Sequence, residues 1–176
     1  MAAGIERGRP APDECLPYYF QYIDLVPDGD IVELLERQMI ETAAYLSAFT
    51  PEQASRREAP GEWNVLEILG HVADVERVSG YRALRIARAD PVMWTQVDFN
   101  GYAEAANFRD RSLKDILGEY ATVRASSVAL LRGLDEAAWK RRAPADWTLR
   151  SVRGIAYNIA GHELHHLADI RRQHRG

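Results

Sequence analysis

The sequence contains one cysteine and lacks long apolar runs, and these absences exclude several classes of protein. Cys15 has no partner for an internal disulfide, and there is no Cys-x-x-Cys pair that would bind zinc through thiolates. No apolar stretch approaches the ~20 residues of a membrane-spanning helix, and the N-terminal residues lack the apolar segment of a secretory signal. We therefore expect a cytoplasmic protein with no membrane partner.

An excess of positive charge is also missing. The chain has 22 Lys and Arg residues against 26 Asp and Glu residues, for a net charge of −4, whereas proteins that bind nucleic acid through its phosphates are usually basic. We therefore expect no nucleic-acid partner. The 176 residues, of which 47% are apolar, suffice for one domain with a substantial core. Residues 1–14, rich in Gly, Pro and charge, are predicted to be loose, and residues 15–176 to form that domain.

Apolar residues recur at steps of three and four in four segments, which predicts an all-α fold. The segments run from about Asp30 to Phe49, Asn64 to Ala89, Ser112 to Leu134 and Thr148 to Gln173. The first three starts carry a capping signal, because a polar residue is followed three positions later by an acidic one. An aromatic-rich stretch over residues 16–23 precedes the first helix and is predicted to lie over the end of the core, with a wall of a pocket as the alternative.

The lengths of the connections predict how the four helices are arranged. The connections within the first pair and within the second pair are short enough to make each pair antiparallel neighbours. The middle connection, from about Asp90 to Arg111, has ~20 residues and is long enough to cross the length of the bundle. The sequence therefore predicts a four-helix bundle with up-down-down-up topology and a long crossover between helices two and three.

Three histidines occupy inward positions on two of these helices. His162 and His166 continue the apolar stripe of the fourth helix, and residues four apart differ by only about 40° around a helix axis. His71 lies on the apolar face of the second helix, and the predicted antiparallel arrangement of helices two and four brings it level with the pair. Neutral imidazole is a common metal ligand, so the three histidines predict a divalent-metal site with an open coordination position.

Two neighbouring residues leave alternatives open. His165 lies three positions after His162 and is an alternative to His166 as a ligand. Glu163 completes a His-Glu-x-x-His string, in which the glutamate of a zinc peptidase is the general base. Peptidases of that kind require a sheet beside the motif helix, and the chain shows no strand pattern. We therefore retain Glu163 as a candidate catalytic base without expecting a peptidase.

Further polar and aromatic residues are candidates for supporting roles. Asp74 and Asp169 lie three positions after a histidine, and Asn158 lies four before His162, so each is placed to orient an imidazole. Asp74 is also a candidate base, and solvent exposure is the simpler interpretation of Asp169. Asn158 is also a candidate for contact with a cofactor or substrate.

The crossover and a basic row supply other candidates for contact with a substrate. Trp94 and Tyr102 lie in the crossover, where long loops often carry function, although packing alone also explains them. Arg82, Arg85 and Arg88 form a basic row on the second helix. A solvated face is the simpler interpretation of this row, and anion binding is the more specific one.

Two motifs resemble the DinB-like (YfiT-like) metalloenzyme superfamily: Trp63-Asn64-x-x-Glu67-x-x-x-His71, and Ala160-Gly161-His162-Glu163-x-His165-His166. The similarity extends from about Tyr22 to Arg171. It implies a four-helix bundle that binds a divalent metal, often nickel or zinc, through His71, His162 and His166. Characterised relatives include thiol S-transferases that use bacillithiol or mycothiol and a mycothiol-dependent isomerase.

The residues and the resemblance together favour a metal-dependent enzyme with a small-molecule substrate. The resemblance implies transfer of a low-molecular-weight thiol to an electrophile, and a divalent ion lowers the pKa of a bound thiol or water. One alternative is a metal-dependent hydrolase with Glu163 or Asp74 as base, and another is a non-catalytic bundle that the metal stabilises. The resemblance also allows a homodimer.

Overall fold

Four long α-helices form the bundle in a computed structural model, which describes residues 7–90, 96–144, 148 and 150–174. With the α-helices numbered in chain order, the long ones are α2 (Ile31–Leu46), α4 (Val65–Ala87), α6 (Leu113–Arg132) and α8 (Val152–Gln173). The short helix α1 (Phe20–Ile23) precedes the bundle, and three more occupy the connections between the long helices: α3 (Pro51–Ser55), α5 (Phe99–Ala105) and α7 (Glu136–Lys140). The described residues contain no strand, which confirms the predicted all-α class. None of the described helices is long and apolar enough to cross a membrane.

Each long helix begins directly after a polar side chain that accepts hydrogen bonds from the first turn. Asp30, Asn64 and Ser112 cap α2, α4 and α6, as the sequence predicted. The start of α8 lies four residues beyond the expected Thr148, because Ser151 accepts the hydrogen bond from Gly154 N and is the actual cap. An isolated antiparallel bridge joins Arg142 to Ser151, whose own backbone is extended.

The two apolar clusters of the core show the direction of each long helix. One cluster joins the beginnings of α2 and α8 to the ends of α4 and α6, and includes Ile31, Ile86, Leu131 and Ile155. The other joins the opposite ends of the same helices. Helices α2 and α8 therefore run one way and α4 and α6 the other, which confirms the predicted up-down-down-up topology.

The predicted side-by-side packing within each pair, of α2 with α4 and of α6 with α8, is wrong. Both α2 and α4 pack against α6 and α8, so α2 and α4 occupy diagonal corners, as do α6 and α8. The connections over residues 47–64 and 133–151 are not simple hairpin loops, because each contains a short helix, α3 or α7. Segments of this length carry the chain across the end of the bundle to the opposite corner.

The long crossover packs back onto α4. Its helix α5 and a 3-10 turn over Phe108–Asp110 both contact α4. The ring of Phe108 lies so close to Gly70 that a Cβ atom there would be 2.5 Å from the ring. The crossover therefore covers the first half of α4, which carries His71.

The N-terminal segment, predicted to be loose over residues 1–14, is described from residue 7 onward and contacts the bundle. Arg7 donates to Asp30 and Arg9 donates to the carbonyl of Ile23, at 3.0 and 2.9 Å. Glu14 is buried and pairs with Arg153 of α8. Residues 7–14 are therefore held by charged hydrogen bonds, which hydrophobic patterning does not reveal.

Candidate metal centre

Three imidazoles converge at one level between α4 and α8. One ring nitrogen from each of His71, His162 and His166 lies within 4.8 Å of the other two. The Nε2 atoms of His162 and His166, one helical turn apart, are separated by 3.2 Å. The antiparallel packing of α4 and α8 produces this meeting, as the sequence analysis expected.

Burial keeps these imidazoles neutral. Desolvation lowers the pKa of His71 to about 4 and is the main reason that the pKa of His166 falls to about 3. Desolvation also lowers the pKa of His162 well below its usual value, and the neighbouring histidines add to this effect. A neutral imidazole keeps a nitrogen lone pair, which is the form that binds a metal.

The spacing of the paired nitrogens of His162 and His166 fits a divalent cation. Two ligands at the usual zinc–nitrogen distance of about 2.0–2.1 Å are about 3.3 Å apart in a tetrahedral site, and the observed Nε2–Nε2 separation is 3.2 Å. Three protein nitrogens leave a fourth position for another ligand. The donor set and its geometry therefore fit a catalytic type of metal site better than a closed structural one.

Aromatic rings hold the imidazoles in place. The indole of Trp63 lies 4.8 Å from the ring of His71, between centroids, and the ring of Tyr22 meets that of His162 edge-on at 5.5 Å. Tyr22 reaches this position because Gly161 has no side chain, and a Cβ there would lie 2.0 Å from the Tyr22 carbonyl oxygen. The aromatic stretch before α2 thus lies beside the histidines, on a wall of the site.

Of the two aspartates predicted to support the histidines, Asp169 is the one that lies near an imidazole nitrogen. Its Oδ2 lies 3.7 Å from Nδ1 of His166 and 3.7 Å from Nε2 of His165. His165, His166 and Asp169 thus form a second group of potential ligands. The side chain of His165 is 43% exposed, whereas His71 and His162 are buried, so the three-histidine group is the better enclosed of the two.

Asp74 is directed to a different neighbourhood. Its Oδ1 accepts a hydrogen bond from Arg77 at 2.9 Å, and Arg77 also pairs with Glu119 of α6 at 2.6 Å. Burial raises the pKa of Asp74. Asp74 is therefore part of a charged group between α4 and α6, and the prediction that it supports the histidines or acts as their base finds no support in this geometry.

The carboxylate of Glu163 is hydrogen-bonded inside the core of the bundle. One of its oxygens accepts from the hydroxyls of Thr42 and Tyr120, at 2.5 and 2.8 Å, and the other pairs with Arg124 at 2.5 Å. The side chain is buried. Adjacent residues of a helix point about 100° apart, so Glu163 turns into the bundle while His162 turns to the site. The prediction of Glu163 as catalytic base is therefore not supported.

A cavity of about 310 Å³ adjoins the three histidines. Besides the histidines, its described lining consists of tyrosines, other aromatic residues, one valine and polar or charged side chains: Tyr18, Tyr19, Tyr22, Trp63, Phe99, Val75, Ser79, Arg82, Asn100 and Asn158. The volume is at the lower end of the range for small-molecule sites. Tyr18, which is 62% exposed, leads to the surface.

Of the residues predicted to contact a substrate or cofactor, only some lie at the histidine cavity. Asn158 lines the cavity, as proposed for it. Tyr102 is 49% exposed and is not among the described residues of the cavity wall. Its ring contacts that of Phe99, which lines the cavity. Trp94 lies outside the described residues. Sequence reasoning missed Ser79 and Phe99, although Ser79 follows His71 and Val75 at the same helical spacing.

The fold and the site define the class of this protein: an up-down-down-up helical bundle in which three histidines from two helices meet beside a cavity and could hold a metal ion. The chain belongs to the DinB superfamily, whose family model matches residues 34–170. This confirms the family resemblance found in the sequence motifs.

A solved structure with the same fold is that of YfiT from Bacillus subtilis, described as a probable metal-dependent hydrolase with an unusual four-helix bundle topology. The match covers 96% of this chain and 93% of that chain, with a TM-score of 0.68 and 20% sequence identity. Similarity at this level of identity establishes the fold. Among curated proteins, none matches this chain.

Proposed function

We propose that this chain is a metal-dependent enzyme that holds a divalent cation on His71, His162 and His166 and transfers a low-molecular-weight thiol to a small electrophile. The observation that carries the proposal is the convergence of three buried imidazoles on the wall of a cavity. A purely structural metal is usually enclosed by four protein ligands. Here the ligands face a space that admits a small molecule.

The cation would supply Lewis-acid chemistry, because it lowers the pKa of a thiol or water bound to it. Three imidazoles suit nickel and zinc, among other ions. The protein supplies the rest: burial keeps the imidazoles neutral, and Trp63 and Tyr22 fix two of the rings. Oδ2 of Asp169 lies 3.7 Å from Nδ1 of His166, too far for a hydrogen bond but on the side from which a carboxylate orients a metal-binding imidazole.

The composition of the cavity wall favours a thiol as nucleophile. No Asp or Glu occurs among the described residues that line the cavity, and Glu163 and Asp74 are engaged elsewhere. A thiol, with an ordinary pKa near 8.5, loses its proton far more readily than water does. A bound thiol therefore needs less help from a protein base than bound water does. Cys15 is buried in the apolar core, so the thiol would be a co-substrate.

Hydrolysis is the second candidate, and the likeness to YfiT supports it because that protein is described as a probable metal-dependent hydrolase. In this reaction the same histidines would hold the cation and water would replace the thiol. The hydroxyls of the cavity tyrosines are then the groups of this chain that donate hydrogen bonds to an ester or amide carbonyl.

Metal content and calorimetric titration with zinc and nickel test the site. Protein purified without a histidine tag is expected to bind about one divalent ion per chain. His71→Ala and His166→Ala are expected to weaken binding about 100-fold or more, since loss of a supporting residue alone costs about 10- to 100-fold. His165→Ala is the matched control, because His165 neighbours His166 and is half exposed, and it is expected to retain the affinity.

Turnover by the metal-loaded protein separates the two reactions. Thiol transfer predicts consumption of 1-chloro-2,4-dinitrobenzene only when a thiol such as glutathione is added. Hydrolysis predicts cleavage of 4-nitrophenyl acetate with no thiol present. Metal binding that survives His71→Ala would contradict the proposed site, and tight metal binding without turnover of either kind of substrate would favour a non-catalytic bundle.

A further inference from the structure

A second cavity, of about 680 Å³, lies at the end of the bundle where α2 ends and where α4 and α6 begin. Its described wall takes residues from α3, from the first turn of α4 and from residues 109–117, where the crossover leads into α6. None of its described lining residues lines the histidine cavity. The volume lies within the range of small-molecule sites, so the second cavity is a separate binding space.

The inner wall of the second cavity is an incompletely covered end of the apolar core. Ala54 and Leu66 line the cavity and are buried members of the core cluster at this end of the bundle. Phe49, Leu113 and Leu117 also line it, and they pack against the same cluster while remaining only partly buried. Apolar surface therefore faces an open space, where an apolar ligand would remove it from water.

The rim of the second cavity is basic. Arg109, Arg111 and Lys114 belong to the wall, and no Asp or Glu occurs among its described residues. Arg109 and Lys114 are exposed, whereas the leucines of the wall are buried or partly buried, so the cations lie at the mouth and the apolar side chains lie deeper. Arg111 already pairs with Glu119 at 2.5 Å. The positive charge offered to a ligand therefore comes mainly from Arg109 and Lys114.

The three serines of this wall are hydrogen-bonded locally. The hydroxyls of Ser47 and Ser55 donate to backbone carbonyls four and three residues earlier in the chain, at 2.6 and 3.2 Å. The hydroxyl of Ser112 donates to the carboxylate of Asp115 at 2.7 Å. Because each serine has a partner within one turn of the chain, the serines do not require a polar ligand. The second cavity thus combines an apolar interior with a cationic edge.

We propose that the second cavity binds a small amphipathic anion, an aliphatic chain that ends in a carboxylate, as in a medium-chain fatty acid. The chain lies against Phe49, Leu66 and Leu117, and the carboxylate lies at the rim beside Arg109 and Lys114. Most of the affinity comes from burial of the chain, because ion pairs at an exposed rim contribute little. This site is additional to the proposed metal-dependent function and does not depend on it.

Calorimetric titration with decanoate, octanoate and acetate tests the apolar part of the site. Decanoate is expected to bind and to raise the melting temperature, since a ligand of the folded state stabilises it. Octanoate is expected to bind about 15-fold more weakly, because each buried methylene contributes about fourfold in affinity. Acetate, which has the charge without the chain, is expected to show no measurable binding. Equal binding of acetate and decanoate would overturn the proposal.

Substitutions at the rim and in the wall locate the bound decanoate. Lys114→Glu is expected to weaken binding about 5- to 10-fold, because attraction to the carboxylate becomes repulsion. Lys140→Glu is its matched control, since Lys140 is exposed, lies outside the described wall and changes the net charge equally. Leu117→Gln is expected to weaken binding about 10-fold. Leu84→Gln, at a half-exposed leucine outside this wall, is expected to leave binding unchanged.

Zinc separates this inference from the proposed function. Decanoate is expected to bind zinc-loaded and chelator-treated protein equally, because the two cavities share no described lining residue. Binding that requires zinc would place the carboxylate at the histidines and overturn the second site. So would an absence of decanoate binding, or unchanged affinity in both Lys114→Glu and Leu117→Gln. Thermal melting verifies that each variant folds, and the chain-length series on the unaltered protein decides if one does not.

Discussion

Gly161 shows how one residue shapes the site. The absence of its side chain lets the backbone of α1 lie directly against α8, since a Cβ atom would be 2.0 Å from the carbonyl oxygen of Tyr22 and 2.4 Å from its carbonyl carbon. Backbone atoms have no rotamer through which to avoid such an overlap. Gly161 therefore determines how near the tyrosines approach the histidines.

Gly161→Ala is expected to destabilise the protein by about 3 kcal/mol, because overpacking that moves backbone is costly. Gly118→Ala is its control within α6: the added Cβ meets nothing within 4 Å, so it is expected to stabilise by about 0.5–1 kcal/mol. Urea unfolding measures both. Equal stability of Gly161→Ala and the unaltered protein would contradict the close packing of α1 on α8.

The direction in which a single helical residue points also determines the role of Glu163. Glu163 and His162 are neighbours in sequence, yet Glu163 accepts hydrogen bonds from Thr42 and Tyr120 inside the bundle while His162 faces the cavity. The His-Glu-x-x-His string therefore does not have the role here that it has in zinc peptidases. Its two histidines and its glutamate serve different networks.

Among the structural elements, the segment before α1 depends on one buried carboxylate. Glu14 accepts hydrogen bonds from Arg153 of α8, with Nε at 2.7 Å from Oε2, and from Arg142 at 3.3 Å. Burial alone would raise the pKa of Glu14, but hydrogen bonds from Arg153, Ser151 and the backbone N–H of Ala11 lower it below its usual value of 4.5. The segment is thus anchored by a charge that must remain ionised.

Glu14→Gln is expected to destabilise the protein by about 1–3 kcal/mol at pH 7, because charged hydrogen bonds are lost. The folded-state pKa of Glu14 is lowered, so its stabilisation is present above pH 4.5 and is lost as the pH falls through the folded pKa. The difference in unfolding free energy between the two proteins should therefore shrink below pH 4.5. Chemical denaturation across pH 3 to 7 measures it.

Glu136→Gln is the control for this experiment. Its exposed pair with Lys140 spans one turn of α7, and pairs of that kind contribute about 0.3–0.5 kcal/mol. A pH-independent difference between Glu14→Gln and the unaltered protein would show that ionised Glu14 does not anchor the segment.

At the scale of the whole molecule, one buried arginine connects all four long helices. Arg124 of α6 pairs with Glu76 of α4 at 2.8 Å and with Glu163 of α8 at 2.5 Å, and it donates to the carbonyl of Leu35 in α2 at 3.2 Å. Its side chain is fully buried. The network specifies which faces of the diagonal helices meet at the centre.

Arg124→Met is expected to cost about 3–5 kcal/mol, because it leaves two buried carboxylates without their cation. Arg132→Met, at the end of the same helix, removes an exposed pair with Glu36 and is expected to cost less than about 1 kcal/mol. Urea denaturation compares the two. A similar small loss in both variants would show that the central network contributes little to the stability of the bundle.

Much of the fold was predictable because it depends on local pattern. The caps at Asp30, Asn64 and Ser112 and the apolar spacing of the long helices gave starts and faces that the structure confirms. The level meeting of His71 with His162 and His166 followed from the length of the crossover. The diagonal placement of α2 with α4, and of α6 with α8, was not predictable, because the connecting helices α3 and α7 are too short to give a clear periodic signal.

The amphipathic helices, with histidines on their inward faces, follow from the amino-acid pattern, since periodicity is a property of each helix alone. Which helices are neighbours, and which residues pair with each buried charge, depends on how the helices pack together. Arg124 and Arg82 look alike in sequence, yet one meets two carboxylates and the other lines the histidine cavity. The reason is physical: the cost of burying a charge is offset by residues far along the chain, and only packing brings those together.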